Sequence, residues 1–262
     1  MANVARVSDR IRVVYVAFWA GAQVVSSPIT SDLMGPSSDQ GPISDANLSP
    51  VTPAGYAFAI WALIYAASLA LAIYQSLPSQ HERRVHRKTG WWVGSAFACS
   101  ALWVPLFGTR IIWISQVVIV MLVVCLALAA HKFTRLGPAP TPAERYLYRM
   151  PITTYLGWAT FASFAGFGAM FRSWGMSERS RETAELGVVL VVAATIVALF
   201  AVGQLSAVLG FVLSGLWALV AVMVNTYVDS VRLAVILSIV ILLCVLFGRT
   251  VRSPDRQTVL LG

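Results

Sequence analysis

The sequence predicts an all-α protein, a polytopic transmembrane helical bundle of about eight spans. Three observations lead there. First, 58% of the 262 residues are hydrophobic, only 11% are charged, and mean hydropathy is +0.75. A soluble domain carries about 25% charged residues, so a soluble globular enzyme is excluded, and the apolar content excludes a disordered chain. Second, the apolar runs are long and continuous, whereas a membrane barrel would show short alternating segments. Third, the length fits: eight helices of about 20 apolar residues leave about 100 residues for loops and tails.

The spans fall at about residues 12–27, 53–76, 91–108, 111–131, 149–171, 186–202, 205–226 and 231–248. Arg6, Arg10 and Arg12 precede or open the first. Arg83, Arg84, Arg87 and Lys88 separate the second from the third, and Lys132, Arg135, Arg145 and Arg149 the fourth from the fifth. The run 186–226 is too long for one helix and breaks at Gly203-Gln204. Small residues around that break, Gly203, Ser206, Ala207, Gly210 and Ser214, are expected to let helices approach closely. Cys99, Cys125 and Cys244 lie inside apolar runs without metal-ligand spacing and read as small buried hydrophobes.

Charge sets the expected orientation. The net charge of +8 is concentrated in alternate loops and reads as a positive-inside signal, not as nucleic-acid binding. Both termini are therefore expected in the cytoplasm of a bacterial cell membrane. Loop 28–52 holds Asp32, Asp39 and Asp45 but no Lys or Arg, and is expected outside. It is rich in Pro, Ser and Gly and too long for a plain turn, as lids often are.

The spans offer little acid–base chemistry. No ionisable residue lies near the middle of any span, which argues against a pump or a retinal protein. His81, His86 and His131 fall in or beside loops and read as solvated. No zinc-protease, nucleophile-elbow or phosphate-loop motif is present. The spans carry aromatic mass instead. Phe58, Trp61 and Tyr65 stand at i, i+3 and i+7 on one helical face; Tyr155, Trp158 and Ala162 repeat that spacing, with Phe161 one turn from Trp158. Aromatic walls around a small alanine suit a flat apolar ligand. Trp91, Trp92, Trp113 and Trp174, near span ends, read as interfacial belts.

Three segments carry a family resemblance. Pro53-Ala54-Gly55-Tyr56-Ala57-Phe58-Ala59-Ile60-Trp61-Ala62-Leu63-Ile64-Tyr65 resembles the second-helix signature of the TspO/MBR family, the translocator or tryptophan-rich sensory proteins. Leu102-Trp103-Val104-Pro105-Leu106-Phe107 is similar to its third-helix pattern, and Tyr155-Leu156-Gly157-Trp158-Ala159-Thr160-Phe161-Ala162 to its fifth. Ala54, Ser100, Thr154 and Gly166 stand where the family has Pro, Asn, Pro and Asn. The resemblance implies a TspO-like five-helix membrane domain over residues 1–175, followed by three additional helices and a tail over 176–262. It implies a receptor or carrier for a flat hydrophobic small molecule, with a porphyrin or haem as the candidate ligand and no required cofactor. The implied walls are Phe58, Trp61, Tyr65, Trp103, Tyr155, Trp158, Phe161 and Ala162, covered by loop 28–52. The implied partners are the bilayer, the ligand and a second copy of the chain. A structural membrane protein without ligand, and a membrane enzyme acting on a tetrapyrrole or lipid, are the competing readings.

Overall fold

The computed structural model describes residues 7–262, which are helical with no strand among them. Arg6 lies outside the described residues. Eight long helices follow one another: α1 (Val7–Met34), α2 (Ile60–Ser76), α3 (Arg84–Gly108), α4 (Ile112–Thr134), α5 (Met150–Ser173), α6 (Arg181–Gln204), α7 (Val208–Asn225) and α8 (Asp229–Arg252). All but α5 are long and apolar enough to cross a membrane by their own composition, α2 together with the turn Gly55–Ala59 before it. Helix α5 is diluted by Gly, Ser and Thr. It tolerates them because it meets protein on most sides, packing against α2, α4, α6 and α7. The chain is an integral membrane protein.

The helices form a ring and an annex. Helices α1, α3, α4, α5 and α2 pack in that cyclic order and close the ring. Helices α6, α7 and α8 lie outside it, held mainly through α5. The start of α1 and the end of α8 lie at one end, here the termini end; the segment between α1 and α2 covers the other, the lid end.

Several helices outrun their apolar cores. Helix α1 continues through Pro28 to Met34, so the first residues of the expected loop are helical. Helix α3 begins at Arg84, which places Arg87 and Lys88 in a helix and not in a loop. The cause is tertiary. Asp9 pairs with Arg12 and Arg87 at 2.6 Å each, tying the first turns of α1 and α3 together. His86 is fully buried there, not solvated, edge-on to Tyr74 and Tyr148 at 5.6 and 4.5 Å. A second buried pair, Arg149 with Glu144 at 2.7 Å, pins the start of α5, and Arg149 also donates to the Gly137 carbonyl at 2.6 Å. Cys99 is buried as expected, but Cys244 is exposed on the membrane-facing side of α8.

Close helix approach depends on glycines, though not on all those expected. The α6–α7 break is the turn 205–207, where Ala207 takes the left-handed conformation (φ 57°). Gly203 has open space around it. Gly157 of α5 lies directly under the Phe211 carbonyl and Ser214 of α7, Gly210 of α7 lies against Thr154 and the Met150 carbonyl of α5, and Gly215 receives the Phe161 ring. A methyl group at Gly157 would strike backbone that cannot move aside. We therefore expect Gly157→Ala and Gly210→Leu to destabilise by about 1–3 kcal/mol, the usual range for overpacking. Gly203→Ala should stay within about 0.5 kcal/mol of the parent. Thermal unfolding in mild detergent checks the ranking.

Candidate functional site

The helical faces that carry the aromatics meet inside the ring, towards the lid end. Trp61 of α2 is the hub. Its ring stacks on Trp103 of α3 at 5.8 Å and stands edge-on to Tyr155 and Trp158 of α5 at 5.8 and 6.0 Å. Tyr65, one turn along α2, lies 5.5 Å from Trp61, and Phe58 is edge-on to Trp158 at 6.4 Å. These offset and perpendicular arrangements are the ones ring quadrupoles favour. Phe58 precedes α2 proper, in the short 3-10 turn Gly55–Ala59.

A void of about 50 Å³ lies among Phe58, Trp61, Trp103, Trp158 and Ala162, with Ser44, Thr52 and Pro53 of the lid segment over it. A second void of about 30 Å³ lies on the other side of α5, towards α6 and α7, and shares Pro53, Trp158, Ala162 and Ala165. Phe161 borders this second void and packs on Gly215; it is not part of the Trp61 cluster. The eight expected wall residues thus divide, seven around Trp61 and one towards α7. Phe161 faces α7, whereas Ala162, about 100° round the helix, borders both voids.

The lid segment is firmly attached. After α1 the chain turns at Gly35 (φ 87°), forms the short helix Gln40–Ala46 and reaches Pro53 through a hydrogen-bonded turn at Ser49–Thr52. Ile43 is completely buried. Arg172 of α5 donates to the Leu48 carbonyl at 2.9 Å, and Asn225 of α7 donates to the Thr52 carbonyl at 3.1 Å. The segment is thus held by both the ring and the annex.

Two intramembrane amides complete the surroundings, and the aromatic pattern gave no hint of them. Gln23 of α1 is fully buried; its Oε1 accepts from the Tyr155 hydroxyl at 3.3 Å, while its Nε2 finds no partner among the described residues. The indole N–H groups of Trp61 and Trp158 also lack oxygen or nitrogen partners. Gln116 of α4 donates to the Ser163 carbonyl at 2.8 Å, and its Oε1 fills the space a side chain at Gly166 would need. Each is the lone amide in an apolar run, and that isolation was the available signal.

The model of the TSPO-like protein family matches residues 13–249. The chain belongs to this family. The matched range reaches from α1 into α8, so the annex helices lie within it together with the ring. No curated protein and no solved structure matches the chain.

This TSPO-like chain places Gln116 where a side chain at position 166 would go. Gly166→Asn alone is expected to destabilise by about 1–3 kcal/mol through overpacking. Adding Gln116→Ala should recover most of that loss. A thermal-unfolding double-mutant cycle reads the coupling, and additive single effects would rule out the shared space.

Proposed function

We propose that this TSPO-like membrane protein is a receptor or carrier for one flat hydrophobic molecule of the tetrapyrrole class, bound among Trp61, Trp103, Tyr155 and Trp158. The observation that carries the reading is the convergence of four large rings from three helices, three of them, Trp61, Trp103 and Trp158, lining a void roofed by the lid segment. Ring stacking and area burial would supply affinity, and the unpartnered indole N–H groups would favour a ligand bearing acceptor oxygens.

The size of the void defines how binding proceeds. Drug-sized ligands occupy pockets of about 300–1,000 Å³, far above about 50 Å³. Binding therefore requires the rings to part and Ser44, Thr52 and Pro53 to shift. The two voids share Pro53, Trp158 and Ala162, so displacement of these residues joins them. The same small volumes favour the second reading, in which the aromatics only pack and no ligand enters.

Orientation and assembly belong to the proposal. The termini end holds most of the Lys and Arg, while the lid end holds Arg110, Arg172, Arg179, Arg181 and Arg232. The positive-inside rule then puts the termini in the cytoplasm and the lid outside. A homodimer is the expected assembly, measurable as particle mass in detergent.

Porphyrin titration of tryptophan fluorescence tests the ligand reading. Saturable quenching at one site per chain supports it; its absence in folded protein leaves packing as the role of the rings. Trp158→Ala should weaken porphyrin binding by about 1–3 kcal/mol, the range for losing a stacking partner, or roughly 5- to 150-fold in Kd. Ala162→Leu, which intrudes on both voids, should weaken it by a similar amount with a smaller effect on melting temperature.

A further inference from the structure

Outside the ring, α2 and α7 are joined at one end and splayed at the other. Near the lid the Ala54 N–H donates to the Ala221 carbonyl at 3.0 Å and the Trp217 indole N–H donates to the Ala57 carbonyl at 3.0 Å. Tyr56 stands edge-on to Trp217 at 5.4 Å. Towards the termini end the two helices separate, with α5 as a floor. The result is a wedge-shaped groove of about 610 Å³, more than ten times the aromatic void. Leu63 and Ala67 form one wall, Leu213 the other, Pro151 and Thr154 the floor, and Trp217 the closed apex. Leu63 and Leu213 are more than half exposed, so the groove opens sideways into bilayer hydrocarbon.

We propose that this groove holds one hydrocarbon chain of an anionic phospholipid, its headgroup at the termini end. Three features select that occupant. The walls are apolar and open to lipid, and the volume lies in the range of single-ligand sites. The apex is shut near the lid by the Ala54–Ala221 backbone hydrogen bond and the Trp217–Ala57 indole hydrogen bond, so a chain lying in the groove runs towards the termini end. At the mouth stand Tyr146, in the π-helical turn Arg145–Arg149, and Arg145 beside it. Arg145 gives its Nε to the Gly262 carbonyl and acts electrostatically on Asp255, but it makes no ion pair within 4 Å among the described residues and its terminal guanidinium nitrogens make no hydrogen bond there, which leaves them for a phosphate. Basic pockets between helices on this kind of face bind lipid headgroups. The Thr154 hydroxyl, bordering the groove, makes no hydrogen bond within the described protein, unlike Thr153 and Thr160 on the same helix. The site is separate from the aromatic core and does not rest on porphyrin binding.

Native mass spectrometry tests the proposal. The full chain is reconstituted in vesicles of equal phosphatidylglycerol and phosphatidylethanolamine, then re-extracted in mild detergent. The parent should retain one phospholipid per chain, mostly phosphatidylglycerol. Ala67→Trp, which fills the groove, should cut retention at least tenfold. Ala66→Trp, on the exposed neighbouring position outside the groove, should retain the lipid with the same melting temperature. Arg145→Gln should keep one lipid but remove the preference for phosphatidylglycerol. Equal retention by parent and Ala67→Trp would overturn the assignment in favour of annular lipid. Conversion of a dimer to a monomer by Ala67→Trp alone would overturn it in favour of a second copy seated in the groove.

Discussion

The contact between α5 and α7 is the constraint on which the rest of the structure depends. Inside a bilayer, helices gain nothing from leaving water, so close van der Waals contact must hold them together. Gly157 and Gly210 supply it by letting each helix rest on the other's backbone, and Gly215 adds a seat for the Phe161 ring. Through this contact the outer helices α6–α8 become an annex fixed to the ring. Helix α5, enclosed by protein, no longer has to be strongly apolar.

That single helix also separates two different environments. On its ring side it presents Tyr155 and Trp158 to Trp61, and the rings nearly fill the space between them. On its outer side Pro151 and Thr154 floor an open apolar groove. One side is a collapsed aromatic core under a lid, the other an open surface towards lipid. The lid is tied to Arg172 of α5 and to Asn225 of α7, so any motion that opens the aromatic core also strains the attachment of the annex.

Charge is confined to the helix ends, where it does structural work. Asp9, Arg12 and Arg87 join α1 to α3, while Glu144 and Arg149 fix the start of α5. Such buried pairs are weak sources of net stability, but breaking one partner out of a pair is costly because the other is left buried and unpaired. They set where helices start, which explains why α3 begins before its apolar run does.

The sequence by itself determined the helical membrane class, the number of long helices and the faces on which Trp61, Tyr155 and Trp158 lie. These follow from hydropathy and from the 3.6-residue period, which are local properties. It did not determine which faces meet. The seating of Phe161 on Gly215, the burial of His86 and the reach of Gln116 over Gly166 each depend on a residue from another helix. The groove between α2 and α7 depends on hydrogen bonds from Ala54 and Trp217 to partners more than a hundred residues away in the chain. Tertiary structure alone decided these features, because helix neighbours are selected by the fit of small residues against backbone, and that fit has no signature in one helix read alone.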